Sequence, residues 1–396
     1  MNTLQLKKKE ERRIRAGHLW IFSNEVDVKK TPLTEYEQGE VVTILDYKGK
    51  PLGTGYINPK SLICCRVLSR NAGVEVDTAF IQTRIQHALE LREKIFSTPH
   101  YRLVYGESDF LPGLVVDRFG DYLSIQCNTA GIDKMLPTII EVLEKLLAPK
   151  GILLRNDSSI RTLEGLEREV SVASGTVPEH IEIEEGGLKF IAPFGSGQKT
   201  GFFYDMRDIR IRAGNEAAAK EGYVFDGFCY VGALGIRAAV KGAEHVVFMD
   251  ASATALEYVE ENAKINGVSD SIEIMKGDAF DILRSGPPRA FDFVSVDPPA
   301  FIKRKKDAKK GAQAYLSINS LAANLVKNGG YQLGASCSQH FEAIDLKRAI
   351  ASGIHKSDAM SQVVWQGHQS ADHPIHPAML ETEYLKSFCF RVTREL

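Results

Sequence analysis

From Leu188 onward, short apolar segments alternate with helical patterns, and each apolar segment ends in a glycine, an acid or a cysteine. This alternation is typical of a parallel sheet with crossover helices, and it predicts a doubly wound α/β domain of about 200 residues. The predicted strands cover residues 223–226, 246–249, 272–275, 291–296 and 330–335. Because ligands of open α/β sheets bind outside the carboxyl ends of the strands, the residues that follow these segments form a candidate site.

The predicted strand ends carry residues that suit an adenosine ligand. Gly232 and Gly235 lie in the loop after the first strand, where small residues let the backbone approach a ligand closely. Asp250 follows the second strand, where its carboxylate can accept both ribose hydroxyls, and Asp278 follows the third, where it can accept from an adenine amino group. The loop lacks the GxGxxG spacing of a pyrophosphate site. With Asp297 after the fourth strand, the set predicts S-adenosylmethionine rather than NAD.

Cys337 and Asp297 are the strand-end residues best suited to chemistry on a base. Two prolines after Asp297 make a rigid turn that can present its carboxylate to a planar ring. Cys337 lies between Ser336 and Ser338, and polar neighbours at a strand end can expose and tune a thiolate. Thiolate attack on carbon 6 of a pyrimidine prepares carbon 5 to accept a methyl group. Position alone leaves Cys337 either as this nucleophile or as a small core residue.

The rest of the chain predicts two further domains, because 396 residues exceed what one hydrophobic core usually holds. Residues 1–70 read as a small β domain with a basic helix at 7–16, a hairpin at 40–45 and 51–56, and a strand at 62–68. The middle piece mixes helices at 79–95 and 132–147 with strands at 101–104, 114–116 and 152–155. The predicted domains are therefore residues 1–72, 73–187 and 188–396.

Composition excludes several classes of protein. No apolar run is long enough to span a membrane, and the lysine-rich beginning has no apolar stretch that would make a secretory signal. The six cysteines are scattered and include no CxxC pair, so neither a disulfide framework nor a metal site is expected. We therefore expect a protein of the reducing cytoplasm.

Several long motifs span nearly the whole chain and resemble one family, the ribosomal RNA large-subunit methyltransferase I family, which makes 5-methylcytosine. The motifs are RRIRAGHLWIFS (12–23), YGESDFLPGL (105–114), QKTGFFYD (198–205), DPPAF (297–301), SCS (336–338), ADHP (371–374) and EYLK (383–386). The resemblance implies a PUA-type RNA-binding domain, a central α+β domain and a C-terminal Rossmann-like methyltransferase domain.

The resemblance also implies roles for individual residues. Cys337 would be the attacking thiol, and Asp297 would hold the cytosine ring near nitrogen 3. Residues near S-adenosylmethionine would be Lys199, Thr200, Tyr204, Phe228, Tyr230, Gly232, Asp250, Asp278 and Asp297.

The chain departs from the family pattern in its first loop. Val231 and Ala233 stand where the family usually has other residues, and Val231 removes a hydroxyl. Ala300 follows the two prolines where some other 5-methylcytosine enzymes carry a second cysteine, which leaves the base that removes the carbon-5 proton unassigned. His373 is a candidate for that base, and a structural histidine is the alternative.

These features predict a cytosine carbon-5 methyltransferase that acts on large-subunit ribosomal RNA. Net charge is only −2, but residues 1–70 and 303–310 are locally basic, which favours contact with phosphates. Predicted RNA contacts are Arg12, Arg13, Arg15, Lys303, Arg304 and Lys305. Trp20 is either a stacking contact or, in the favoured interpretation, a core residue. Two alternatives stay open, a guanine N-methyltransferase that does not need Cys337 and an RNA-binding assembly factor without turnover. The oligomeric state also stays open, with a homodimer among the outcomes.

Overall fold

A computed structural model describes residues 1–195, 201–218 and 222–395. The chain forms two compact units. The first contains Met1–Ile181, Pro193–Phe202 and Ala371–Thr382, and the second contains Glu182–Ala192, Phe203–Ser370 and Glu383–Leu396. The predicted three-domain boundaries at 72/73 and 187/188 stay predictions. Among the described residues, no helix has both the length and the apolarity that a membrane crossing requires.

The first unit begins with a five-stranded sheet and one short helix. The elements are β1 (Asn2–Gln5), α1 (Glu11–Arg15), β2 (Trp20–Ile21), β3 (Glu40–Leu45), β4 (Pro51–Ile57) and β5 (Cys65–Ser69), and the strand order is β1-β3-β4-β5-β2. The turn between β3 and β4 is closed by Asp46, whose Oδ1 accepts from the amides of Lys48 (2.8 Å) and Lys50 (2.9 Å). The predicted hairpin is therefore present, whereas the predicted basic helix is shorter than residues 7–16.

A second five-stranded sheet completes the first unit. Its elements are α2 (Thr78–Ile95), β6 (His100–Tyr105), β7 (Leu114–Phe119), β8 (Tyr122–Cys127), α3 (Ala130–Leu147), β9 (Gly151–Asn156), α4 (Ser159–Leu163) and β10 (Glu169–Gly175), in the order β10-β9-β8-β7-β6. Helices α2 and α3 pack together with the sheet in one apolar core, to which α2 contributes Ile81, Ile85 and Leu89. These residues recur at helical spacing, so the sequence pattern and the buried face agree.

A hairpin of β11 (His180–Glu185) and β12 (Leu188–Pro193), followed by α5 (Arg207–Ala218), precedes the largest sheet of the described residues. Buried Glu185 anchors its turn, because the carboxylate accepts from Arg210 Nη2 (2.6 Å) and Nε (3.1 Å). The backbone carbonyl of Glu185 also accepts from Arg237 (2.6 Å). A buried charge needs such partners, so this network fixes the hairpin turn against two helices.

The second unit is built on a seven-stranded sheet. Its strands are β13 (Tyr223–Gly227), β14 (His245–Asp250), β15 (Ile272–Lys276), β16 (Phe291–Val296), β17 (Val326–Ser336), β18 (Met360–His368) and β19 (Lys386–Thr393). The order is β15-β14-β13-β16-β17-β19-β18, and β19 is antiparallel to both neighbours while the other pairs are parallel. The helices are α6 (Ala233–Val240), α7 (Ala253–Ile265), α8 (Ala279–Ser285), α9 (Ala308–Leu325) and α10 (Ala343–His355).

The predicted parallel sheet with crossover helices is confirmed. All five predicted strands are present as β13 to β17, and their order reverses at β13, between β14 and β16. Such a reversal opens a crevice at the carboxyl edge of the sheet, which is where ligands of these folds bind. The strands β18 and β19 extend the sheet on the side of β17.

Candidate active site

The candidate site lies at the carboxyl ends of five neighbouring strands. Gly227 of β13 is level with Met249 of β14 and Val296 of β16, and Val296 is level with Gly334 of β17. This register brings the segments that follow these strands to one edge of the sheet. The predicted site residues on that edge are Phe228, Tyr230, Gly232, Asp250, Asp278, Asp297 and Cys337.

The loop after β13 has an unusual backbone. Phe228 (φ 62°), Tyr230 (φ 52°) and Gly232 (φ 79°) all lie in the left-handed region, which non-glycine residues seldom adopt. A Cβ at Gly235 would lie 2.4 Å from the ring of Phe248, so only glycine lets α6 pack this closely on β14. The loop thus turns sharply and starts α6 directly behind the crevice. Strain of this kind is concentrated at ligand-binding sites.

Two aspartates brace this loop. Buried Asp226 accepts from the Gly235 amide (2.9 Å), and its burial raises the pKa of the carboxyl group to about 7, with the nearby carboxylates of Asp297 and Asp250 adding to the rise. Half-buried Asp250 accepts from the Tyr230 amide (3.1 Å) through Oδ2 and from the Ser252 amide through Oδ1. The Asp250 carboxylate is therefore held in a fixed orientation at the edge of the crevice.

The remaining predicted cofactor contacts differ in exposure. Asp278 is exposed and caps α8, because Oδ1 accepts from the Phe280 amide (2.9 Å). Tyr204 is buried, with the Arg207 guanidinium 5.1 Å from its ring centroid. The half-buried rings of Phe203 and Tyr230 meet edge to face at 5.1 Å. Each of these cofactor roles stays a prediction, and Lys199 and Thr200 lie outside the described residues.

The departures in the first loop concern buried side chains. Val231 and Ala233 are 1% and 5% exposed, so both side chains lie in the core behind the loop. The carbonyl of Val231 accepts from Asn262 Nδ2 (3.0 Å), and Asn262 also holds the backbone of Ile191 in β12. A buried asparagine on α7 thus fixes the loop backbone without a hydroxyl at position 231.

The geometry fits the predicted S-adenosylmethionine. A fixed carboxylate at Asp250 is placed where the sheet topology puts a ribose, and the exposed Asp278 lies at the end of the next strand. Half-buried rings at Phe228 and Tyr230 offer apolar surface beside them. Carboxylates with aromatic surface match an adenosine group in both polarity and shape.

Tyr315 of α9 ties the loop after β16 to the loop after β17. Its buried hydroxyl accepts from Ser336 Oγ (2.8 Å) and lies 2.9 Å from Ser338 Oγ. The Ser338 hydroxyl in turn accepts from the Ile302 amide (3.2 Å), and the Tyr315 ring packs 4.9 Å from that of Phe301. These contacts hold the segment that follows Asp297 against the segment that contains Cys337.

Cys337 differs from every other thiol of the chain. It is half-buried, whereas Cys64, Cys65, Cys127, Cys229 and Cys389 are buried. Burial raises the pKa of the Cys64 thiol to about 12 and that of the Cys127 thiol to about 12, and it raises the pKa of the other three as well. Because the thiolate is the nucleophilic form, these five are unreactive core residues and Cys337 is the candidate nucleophile.

Sequence reasoning gave no role to Lys386, which lies beside Cys337. Lys386 is the first residue of β19 and pairs across the sheet with Ser336. Its Nζ donates to the carbonyl oxygens of Ser338 and Tyr384. Burial lowers the pKa of its ammonium to about 8, although the neighbouring Cys337 and Glu383 act in the opposite direction. The antiparallel register of β17 and β19 creates this contact, and a local motif cannot reveal it.

The predicted RNA contacts fall into two groups. Arg13 donates to Glu25 (2.7 Å) and Arg15 donates to Asp46 (2.8 Å), so both have structural partners in the N-terminal sheet region. Arg15 is exposed despite this partner. Arg12 is exposed as well, and so are three residues before α9, namely Lys303, Arg304 and Lys305. The exposed group is accessible to a polyanion, and its role stays a prediction.

His373 and Trp20 have defined structural surroundings. His373 is 2% exposed, its Nδ1 lies 2.9 Å from Asp372, and its ring packs 5.1 Å from that of Tyr105. Trp20 is half-buried and donates through Nε1 to Glu107 (2.9 Å). These contacts support the structural alternative for His373.

Two protein families match parts of the chain. A PUA-like domain family matches residues 4–70, and an S-adenosylmethionine-dependent methyltransferase family matches residues 165–343. The predicted PUA-type domain, the Rossmann-like methyltransferase domain and the S-adenosylmethionine cofactor are thereby confirmed.

Two solved structures share the fold over nearly the whole chain. A candidate S-adenosylmethionine-dependent methyltransferase from Streptococcus mutans has a TM-score of 0.82 at 18% identity, covering 99% of this chain and 100% of that one. The structure of SMU.776, a candidate methyltransferase complexed with SAH, has a TM-score of 0.83 at 18% identity, with coverage of 99% and 100%.

Curated proteins named ribosomal RNA large subunit methyltransferase I are similar along the full length. The one from Tolumonas auensis is 35% identical, and the alignment covers 98% of this chain and 99% of that protein. The one from Shigella boydii serotype 18 is 32% identical with the same coverage. With this identity over almost every residue, the chain belongs to the ribosomal RNA large subunit methyltransferase I family of S-adenosylmethionine-dependent methyltransferases.

Proposed function

We propose that this enzyme methylates carbon 5 of a cytosine in large-subunit ribosomal RNA through a covalent bond between Cys337 and the base. The observation that carries the proposal is the position of Cys337. It is half-buried, unlike the other five thiols, and it follows β17, whose neighbour β16 ends just before Asp297. The names of the full-length relatives support the class of RNA.

Carbon 5 of cytosine is a poor nucleophile, which is why a thiol is needed. The Cys337 thiolate adds to carbon 6, and electron density moves to carbon 5. S-adenosylmethionine supplies an electrophilic methyl group when bound. Carbon 5 gains the methyl group and then passes its proton to a base. The electron pair of that carbon–hydrogen bond restores the ring double bond, the bond between carbon 6 and sulfur breaks, and the thiolate is regenerated. Every bond that Cys337 forms is therefore broken within one turnover.

Asp297 is the residue placed to orient the base. Two prolines stiffen the turn that follows it, and the Ile302 amide at the far end of that turn donates to Ser338 Oγ (3.2 Å). Its amide lies 3.4 Å from the carbonyl oxygen of Gly227, so the residue is also fixed to the end of β13. A rigid carboxylate beside the thiol can accept from the amino group next to nitrogen 3 of the ring and keep carbon 6 aligned with sulfur.

The target base must leave its stack before it can reach Cys337, at a cost of a few kcal/mol. The exposed cations Arg12, Lys303, Arg304 and Lys305 are the proposed contacts that offset this cost by binding phosphates.

The test compares wild type with Cys337→Ala and Cys337→Ser on unmodified large-subunit ribosomal RNA and labelled S-adenosylmethionine, with the nucleosides identified by mass spectrometry. We expect label in 5-methylcytidine with wild type and a loss of at least about a thousandfold in both variants, because each lacks the thiolate. The affinity of both variants for SAH, measured by calorimetry, should equal that of wild type, which would show that the variants are folded. Equal label in a methylguanosine with all three proteins would refute the thiolate chemistry.

A further inference from the structure

Lys386 lies beside the segment that contains Cys337, where its charge can act on the thiol. It is a half-buried lysine at the start of β19, and its cross-strand partner is Ser336, the residue before Cys337. A buried ammonium needs compensation from oxygen acceptors or a negative charge, so its surroundings are informative.

Two backbone carbonyls fix the position of the Lys386 ammonium. One belongs to Ser338, on the far side of Cys337, and the other to Tyr384 (2.9 Å). The ammonium therefore bridges the segment that holds the nucleophile and the segment that begins β19. Ser336 and Ser338 are fixed independently by Tyr315, so the loop, the lysine and the thiol share one rigid frame.

The charges that face Lys386 come from several elements. Cys337 on the β17 loop and Glu383 before β19 both favour the ammonium form, whereas burial opposes it. His368 of β18 is the other cross-strand neighbour, and its Nδ1 lies 2.7 Å from the carbonyl of Gln369. The Tyr315 hydroxyl on α9 is hydrogen-bonded to both serines that flank the thiol, Ser336 and Ser338.

We propose that Lys386 is a positioning residue whose ammonium is the counter-charge of the Cys337 thiolate. An attraction between two groups acts on both of them, so an ammonium that is favoured by the thiolate also favours that thiolate. The carbonyls of Ser338 and Tyr384 keep the charge in place through the catalytic cycle. This role rests on the proposed function, in which Cys337 attacks the base.

The lowered pKa of Lys386 defines where this effect operates. With a pKa of about 8, the side chain is mostly ammonium at neutral pH and mostly amine above pH ~9. The counter-charge is therefore present near neutral pH, where an ordinary cysteine thiol is mostly protonated, and it is lost at alkaline pH.

The experiment measures the alkylation rate of Cys337 against pH in the full chain without RNA or cofactor. Iodoacetamide is the probe because it is uncharged, and mass spectrometry of the Cys337 peptide gives the rate. The proteins are wild type, Lys386→Met, Lys386→Arg and the control Lys356→Met, which removes an exposed charge just after α10. Thermal melts and SAH binding confirm that each protein is folded.

We expect the pH of half-maximal alkylation in Lys386→Met to rise by about one unit or more, because an adjacent opposite charge commonly shifts such a titration by that amount. Lys386→Arg should restore most of the shift, and Lys356→Met should match wild type. Superimposable profiles for wild type and Lys386→Met would overturn the proposal. A shift in Lys386→Met that Lys386→Arg does not restore would also overturn it, because packing rather than charge would then be responsible.

The alkylation profile is independent of methyl transfer, so the two proposals fail in different ways. Wild type that alkylates with Lys386 dependence but forms no 5-methylcytidine would refute the proposed function. Wild type that forms 5-methylcytidine with a profile indifferent to Lys386 would refute only the role of the lysine.

Discussion

At the scale of single residues, Asp226 shows how burial and neighbouring charge act on one group. Its carboxyl group is buried at the end of β13, near the carboxylates of Asp250 and Asp297, and its pKa is raised to about 7. In the unfolded chain the same group titrates near 4. The native protein therefore binds more protons than the unfolded protein between pH ~4 and 7, and this group makes the fold less stable as pH rises through that window.

Asp226→Asn tests this linkage. The amide cannot ionise, yet its oxygen can still accept from the Gly235 amide. We expect the free energy of unfolding of the variant, relative to wild type, to increase between pH 5 and pH 8 by up to about 3 kcal/mol. Urea melts at both pH values give the difference. The control Asp270→Asn, at an exposed aspartate, should show no such pH dependence, and a flat difference for Asp226→Asn would contradict the raised pKa.

At the scale of elements, α9 determines the geometry of two loops of the candidate site through one side chain, Tyr315. The Tyr315 hydroxyl contacts Ser336 and Ser338, and its ring packs on Phe341 (4.8 Å) and Phe301 (4.9 Å). Removal of the hydroxyl leaves two buried serine hydroxyls with a lost partner, at a cost of about 1–3 kcal/mol.

Tyr315→Phe should therefore lower both stability and methyl transfer. We expect a tenfold or larger fall in kcat with unchanged SAH affinity, because a displacement of the Cys337 loop misaligns the thiol and the base without touching the cofactor. Methyl transfer and calorimetry supply the two readouts. Tyr223→Phe is the matched control, because Tyr223 begins β13 and the candidate site lies at the other end of that strand. A Tyr315→Phe enzyme with wild-type kcat would show that the contacts of the Tyr315 hydroxyl have no catalytic role.

Helix α1 contains two neighbouring arginines with different surroundings. Arg13 donates to both carboxylate oxygens of Glu25 and to the carbonyl of Trp20, whereas Arg12 is exposed. Arg13→Ala should lower the free energy of unfolding by about 1 kcal/mol, whereas Arg12→Ala should leave it unchanged and weaken RNA binding. Denaturant melts and filter binding distinguish the two effects. Equal stability of both variants would contradict the structural role of Arg13.

Sequence reasoning succeeds for elements whose signal is local and fails for those that depend on distant pairing. The strands β13 to β17 were predictable because each is a short segment rich in apolar residues that ends at a glycine, an acid or a cysteine. The exposed edge strand β18 has no such pattern. The contacts of Lys386 and Tyr315 with the Cys337 loop arise from strand register and helix packing, which no spacing along the chain encodes.

At the scale of the whole molecule, the chain is almost neutral overall, but two stretches of the sequence are locally basic. Residues 1–70 contain 13 Lys and Arg against 8 Asp and Glu, and residues 303–310 contain six cations against one acid. Such an arrangement gives local attraction to phosphates without a strongly basic chain.

The combined variant with alanine at Lys303, Arg304 and Lys305 tests the second stretch. We expect weaker binding to RNA of any sequence, and the slope of log affinity against log salt should fall by about 2, because each phosphate contact contributes about 0.7–0.9. Filter binding at several salt concentrations measures both. Lys356→Ala is the single-charge control, and an unchanged slope in the combined variant would exclude these residues from the RNA interface.

The covalent bond between Cys337 and cytosine is the central claim, and a trapped adduct tests it most directly. Ribosomal RNA that carries 5-fluorocytidine cannot lose a proton from carbon 5, so the bond between carbon 6 and sulfur should persist. Incubated with S-adenosylmethionine, wild type should shift to an RNA-linked species on a denaturing gel, and its mass spectrum should place the nucleotide on Cys337. Cys337→Ala should give no such species. An adduct that forms equally with Cys337→Ala, or RNA methylated by wild type without any adduct, would contradict the account.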